Sequence, residues 1–393
     1  MLQLTEVIRR DLDAGLASGV VALDLSKAFD TIEHYTLLRK LEKYGLTEDS
    51  LRFFTDYLED RCFKVKYMNK FSASHTITKG VPQGSILGSL LFSIYVNDLP
   101  EALSHCNIVM YADDTTIQVS SMYPSNIQVK LTEDLKSLST WFKQNGLKLN
   151  TDKTEAIIIA SPNKIHHFNS IKISLQNKLI NCKEEIKILG IHISKHLKWD
   201  SHTSHLIRNL KFVYRGYSRS CRYLSQASRK LLYNSAIGSR VSYCDQVWDK
   251  CGSRNKKRLQ TVQNRCVRRI TGSKPGSNAI AQIKSLGWLN LETKRRLHKC
   301  VLLKKIIQDG GPDALRNLMT CFGSGSGRGT RLTSRGGFTL PTIKTDYYKN
   351  SFLYDAVKTW NSLPAALRET NNINTFKENL HKLLAYDALD YRP

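Results

Sequence analysis

Ile108-Val109-Met110-Tyr111-Ala112-Asp113-Asp114-Thr115-Thr116-Ile117-Gln118-Val119 holds two β-like runs on either side of two adjacent carboxylates. Short runs rich in β-branched and aromatic residues read as strands, so this stretch predicts a hairpin with Asp113 and Asp114 at its tip. Far upstream, Val20-Val21-Ala22-Leu23 reads as a buried strand that runs into Asp24. A turn and a helix are expected after it, around residues 26–41. Two apolar strands therefore each deliver acid to the end of what should be a hydrophobic sheet.

A buried carboxylate without a partner costs on the order of several kcal/mol. Three of them together call for strong cationic compensation. Oxygen-only ligands suit a hard ion such as Mg²⁺, which keeps some waters and completes its shell from substrate phosphates. Two such ions about 3.5–4 Å apart can activate a hydroxyl and stabilise a leaving pyrophosphate. A lone Asp-Asp is more often a solvated turn, and the ordered company of Asp24 and the turn Gly80-Val81-Pro82-Gln83-Gly84 argues against that reading here.

The rest of the chain extends an α+β pattern. Residues 51–58 are helical, and Cys62-Phe63-Lys64-Val65-Lys66-Tyr67 alternates as a strand with Lys64 and Lys66 on one face, returning through His75 to Thr78. The apolar run behind Gly84 predicts a buried helix ending near Asn97. Ile127, Leu131, Leu135, Leu138 and Phe142 recur three and four apart, the mark of an amphipathic helix that Gly146 can end. A strand over residues 156–159 and a strand pair around 186–193 follow, and then the chain turns helical and basic.

Charge points to a polyanionic partner. The 393 residues carry 59 Lys and Arg against 34 Asp and Glu, a net of +25, and between Ser201 and Gly310 the count is 24 against 4. Arg208, Lys211, Arg215, Arg219 and Arg222 form one helical stripe opposite Ile207, Leu210, Tyr214, Tyr217 and Cys221. Lys256, Lys257, Arg265, Arg268 and Arg269 form a second cluster. Like charges so spaced repel, so phosphate tracking is set against a merely solvated face. His192, His196, His202 and His205 fall where a strand is predicted, which would spread them, so exposed or core histidines are expected, and the cysteines lack ligand pairing, so packing roles are expected for them. No stretch reaches the roughly 20 apolar residues that span a bilayer and no signal peptide is evident. An intracellular protein, nuclear or cytoplasmic, with no membrane partner is expected.

Five segments then carry a resemblance. Ala22-Leu23-Asp24-Leu25-Ser26-Lys27-Ala28-Phe29-Asp30 looks like polymerase motif A, Gly80 to Gly88 like motif B, and Tyr111-Ala112-Asp113-Asp114 like motif C. Gly146-Leu147-Lys148-Leu149-Asn150 with Lys153-Thr154 resembles motif D, and Leu189-Gly190-Ile191 motif E. With Trp360-Asn361-Ser362-Leu363-Pro364 near the end, the chain most resembles reverse transcriptases of non-LTR, LINE-like retrotransposons.

The resemblance implies a right-hand polymerase palm, an antiparallel sheet backed by helices, over residues 1–195. It also implies a basic helical thumb over 196–310, a Gly/Ser/Arg-rich linker over 311–345 and a C-terminal helical segment over 346–393. It makes Asp24, Asp113 and Asp114 ligands of two Mg²⁺ ions, replaceable by Mn²⁺. Leu25, Phe29, Gln83 and Gly84 would contact the nucleotide, with Phe29 a gate against the ribose 2′-hydroxyl, and Lys153 would protonate pyrophosphate. An RNA template, a DNA primer or target and dNTPs are the implied partners, and an element-encoded protein could join them. One departure is Gly88-Ser89, where Gly-Pro is usual. The chain begins shortly before motif A, so finger strands and an endonuclease are expected to lie outside it. The rival readings are an inert remnant that only binds nucleic acid and a domesticated scaffold.

Overall fold

Four strands make the main sheet: β1 (Ala17–Leu23), β2 (Asn107–Tyr111), β3 (Asp114–Ser121) and β4 (Glu155–Ile159). Their order is β2-β3-β1-β4 and every pairing is antiparallel. In this computed structural model, residues 1–308, 311–322 and 337–387 are described. Residues 323–336 of the linker expected over 311–345 lie outside them. The chain divides into two units, residues 16–189 and residues 1–15 with 190–393.

β1 is interior and buried at six of its seven positions, which explains why it lacks the polar alternation of a half-solvated strand. The helix Pro124–Gln144 covers one face of the sheet with Ile127, Leu131, Leu135, Leu138 and Phe142, all at most 1% exposed. Gly19 permits that approach: a Cβ there would lie 2.6 Å from Ile127 Cγ2 and 2.8 Å from Leu131 Cδ1.

Two local expectations are corrected. The helix expected from residue 26 begins at His34 and runs to Lys43. Leu25 instead bridges to Leu149, and the Ser26 N–H donates to the Lys148 carbonyl at 2.8 Å. Tertiary pairing wins there over local helix preference. The helix after Gly84, Ile86–Tyr95, is only half buried: Leu91, Phe92 and Tyr95 face the core, while Ile86 and Leu90 are exposed.

The other unit is helical, with Asp200–Ser220, Ser253–Thr271, Leu291–Ile307, Phe352–Asn361 and Ile373–Asp387 its longer helices. Its core includes Leu303, Ile306, Phe322, Trp360 and Phe376. The stretch expected as linker holds a helix, Asp313–Leu318. The first helix, Leu2–Asp13, belongs to this unit rather than to the sheet. Glu6, fully buried, accepts from the Phe352 and Leu353 N–H groups at 2.7 and 2.9 Å, and Arg9 donates to the Tyr347 carbonyl at 3.0 Å. The described cysteines are free thiols, four of them buried. Among the described residues, no helix is long and apolar enough to cross a membrane.

Candidate active site

Asp24 emerges from the end of β1, and Asp113 and Asp114 from the tight turn that joins β2 to β3. Leu23 pairs with Thr115, so one step further the register brings Asp24 level with Asp114. Tyr111 pairs with Asp114, leaving Ala112 and Asp113 as a two-residue turn. Ala112 sits there at φ 51°, a left-handed conformation that residues with a Cβ rarely adopt. Such strain persists where the surrounding structure imposes it and is concentrated at functional sites.

Asp114 senses the other two carboxylates. The Asp114 carboxyl is pushed above the usual carboxylate range, first by partial desolvation and then by the charges of Asp113 and Asp24. Among the described residues none of the three forms a salt bridge. The three offer only carboxylate oxygens, the donor type that hard divalent cations take, but the described residues whose ligand atoms all lie within 4.8 Å of one another are Glu185, His192 and His205.

Asp24 is strapped from both sides of its peptide. Its N–H donates to Thr154 Oγ1 at 3.5 Å, and its carbonyl accepts from the Asn150 N–H at 2.8 Å. Thr154, buried, donates in turn to the Asn150 carbonyl at 2.8 Å. The loop 150–154 is thereby held beside Asp24, and Lys153 is exposed on it.

A second set of bonds holds the Gly80–Gly84 turn against residues 29–34. The Val81 N–H donates to the Phe29 carbonyl at 2.9 Å and the Gly80 N–H to the Ile32 carbonyl at 2.7 Å. Gln83 Nε2 donates to Asp30 Oδ1 at 2.9 Å. Gly80 has φ +89°, and a Cβ on it would lie 2.8 Å from the Asp30 Cα. Phe29 is half buried, its ring stacked on Phe92 with centroids 4.6 Å apart. Gln83 and Gly84 are exposed, whereas the Leu25 side chain is 8% exposed and part of the core.

Asp30, Thr154 and Phe92 were given no role by the sequence. Asp30 and Thr154 stood inside quoted motifs, and nothing local signalled Phe92. The basic residues divide. Arg208, Lys211, Arg215, Arg219 and Arg222 are all exposed, opposite buried Ile207, Leu210, Tyr217 and Cys221, and so are Lys257, Arg265 and Arg269. Lys256 is half buried, and Arg268 donates to the Ser277 carbonyl at 2.9 Å, a structural use of its guanidinium. Lys64 and Lys66 are exposed on a hairpin whose strands are short and interrupted.

The family profile described as "Reverse transcriptase (RNA-dependent DNA polymerase)" matches residues 6–193. The probable RNA-directed DNA polymerase from transposon BS of Drosophila melanogaster is 28% identical over 68% of this chain and 30% of its own length. The RNA-directed DNA polymerase from mobile element jockey of the same organism is 26% identical, over 64% of this chain and 28% of its own. The Pol polyprotein of the type-1 retrotransposable element R1 from Bradysia coprophila is 27% identical, over 61% and 24%. This chain therefore spans about 30% or less of the length of these relatives. Among solved structures, apo telomerase from Candida tropicalis overlays 69% of this chain and 45% of its own at 12% identity with a TM-score of 0.41, too weak to carry an argument. Residues 6–193 thus match the reverse transcriptase family profile, and the relatives named are polymerases and a Pol polyprotein of transposable elements.

Proposed function

We propose that this chain copies RNA into DNA, adding dNTPs to a primer 3′-hydroxyl, with the four-stranded sheet as its palm and the basic helices of the other unit as its thumb. The observation that carries the reading is the convergence of Asp24 and Asp114 at one end of paired strands, with Asp113 beside them. Divalent cations held there, Mg²⁺ or Mn²⁺, would activate the hydroxyl and neutralise charge on the leaving pyrophosphate. The chain's own residues do the rest. Gln83, fixed by Asp30, and Gly84 face the incoming nucleotide. Phe29 presents its half-exposed ring to the sugar, braced from below by Phe92. Lys153, next to the residue that binds the Asp24 N–H, is placed to give a proton to pyrophosphate. The exposed arginines of Asp200–Ser220 and of Ser253–Thr271, together with Lys64 and Lys66, bind the template and primer.

The test is extension of oligo(dT) on poly(A) RNA with dNTPs and Mg²⁺. Wild type should extend the primer in a metal-dependent way and Asp113→Ala should not. Equal incorporation by the two would refute the reading.

A further inference from the structure

We propose that the hairpin Cys62–Thr76 is a docking platform for an unpaired strand of nucleic acid, which its aromatic rings stack against and its lysines neutralise. This deepens the reading of the chain as one that binds nucleic acid, and names the form bound.

Every residue from Cys62 to Thr76 is exposed, so the hairpin packs neither face on a core. Its pairing is well defined nonetheless: Phe63 opposite His75, Lys66 opposite Phe71 and Tyr67 opposite Lys70. Met68 and Asn69 close it, both at positive φ, 41° and 63°, as a two-residue primed turn requires. An isolated two-stranded hairpin is marginal in water, and this one leaves large apolar side chains uncovered. Tyr67 is 72% exposed, Phe71 66% and Phe63 50%. Met68, strained by its backbone, is 81% exposed at the tip. Contiguous exposed apolar surface of this kind marks an interaction site.

Charge decides the occupant. Residues 61–79 contain Arg61, Lys64, Lys66, Lys70 and Lys79 and no Asp or Glu. Lysines alternate with the rings along the strand, and Lys66 Nζ lies 5.6 Å from the Phe71 ring centroid. A cavity of about 430 Å³ lies at the tip, lined by Val65, Tyr67, Met68, Lys70, Phe71 and Ser72. An apolar protein surface would cover the rings without a use for the cations. Phosphates alone would use the cations and leave the rings bare. Only a polyanion with accessible flat faces satisfies both, and in a duplex those faces are already stacked. Basic grooves with aromatic stacking platforms are the general means of holding single strands without sequence preference.

The experiment measures affinity of the full chain for a fluorescent oligouridylate and for a blunt RNA duplex, in EDTA and without nucleotides. Because metal and dNTPs are absent, a chain that cannot polymerise can still pass. Tyr67→Ala and Phe71→Ala should each weaken single-strand binding about tenfold and change duplex binding less than twofold. Phe71→Tyr, which keeps a ring, should retain affinity. Lys66→Ala should flatten the dependence of log K on log salt by about 0.7 if it meets one phosphate. The rings touch no core, so the melting temperature of each variant should match wild type. Unchanged single-strand binding in the alanine variants, an equal loss on the duplex, or loss in Phe71→Tyr would overturn the proposal.

Discussion

Gln83 Nε2 donates to Asp30 Oδ1 at 2.9 Å, joining the turn before one helix to the segment that begins with Asp24. Both side chains are exposed, so the bond orients Gln83 more than it stabilises the fold. Asp30→Ala should leave the melting temperature within about a degree and raise KM for dNTP about 2- to 10-fold, the worth of one hydrogen bond. Steady-state kinetics on a primed template decides it, and an unchanged KM would mean that Gln83 needs no such support.

Gly80 makes the same junction possible by its lack of a side chain. Gly80→Ala places a Cβ 2.8 Å from the Asp30 backbone at φ +89°, a conformation in which alanine is strained. A loss of about 1–3 kcal/mol in urea unfolding is expected, with weaker nucleotide binding. An alanine variant as stable as wild type would show that the turn can move away from Asp30 freely.

Asp114 gives a pH signature. Its raised carboxyl means that the folded chain favours the protonated form. That stabilisation is complete below the ordinary carboxylate value near about 3.9 and is lost as pH rises through the raised one. In EDTA, Asp114→Asn should therefore melt above wild type at neutral pH, with the gap shrinking on acidification. Added Mg²⁺ should raise the wild-type melting point more than the variant's. A variant that melts below wild type in neutral EDTA would contradict the mutual repulsion.

Asp134 has the opposite sign. Burial pushes its carboxyl up, but N–H donors from Ser104, His105 and Cys106, at 2.7–3.0 Å, prevail and hold it below the usual range. Its contribution is present above the ordinary carboxylate value and lost as pH falls through the depressed one. Asp134→Asn should cost about 1.5–3 kcal/mol at neutral pH, and denaturant titration should show the penalty fading in acid. A penalty independent of pH would point to packing instead.

The strands that end in Asp24 and flank Asp113 and Asp114 were legible because they combine an apolar run with an acid at a fixed place. The helix Pro124–Gln144 was legible because five core positions keep one face. What escaped was set by distant partners. Leu25 bridges to Leu149 and the Ser26 N–H is taken by the Lys148 carbonyl, and no local pattern in 26–41 announces that. Arg268 looks like any other cation of its cluster until the Ser277 carbonyl is seen to occupy it. The sequence of Cys62–Tyr67 alternates, which normally implies one continuous strand with a dry face, but here the strand is interrupted at 64–65 and both faces are wet. Residues 2–13 fall inside the palm that the resemblance implies over 1–195, whereas their buried acid and arginine answer to residues 347–353.

That last arrangement bears on any attempt to shorten the chain. A polypeptide cut to the profile match, 6–193, would keep Glu6 and Arg9 but discard Phe352, Leu353 and Tyr347, leaving both side chains without the backbone partners they hold here. Starting instead at residue 16 would spare the sheet this burden while stripping the distal helices of their cap. Head and tail of the sequence are thus obligate companions, and deletions at either extremity should be read as injuries to the same body.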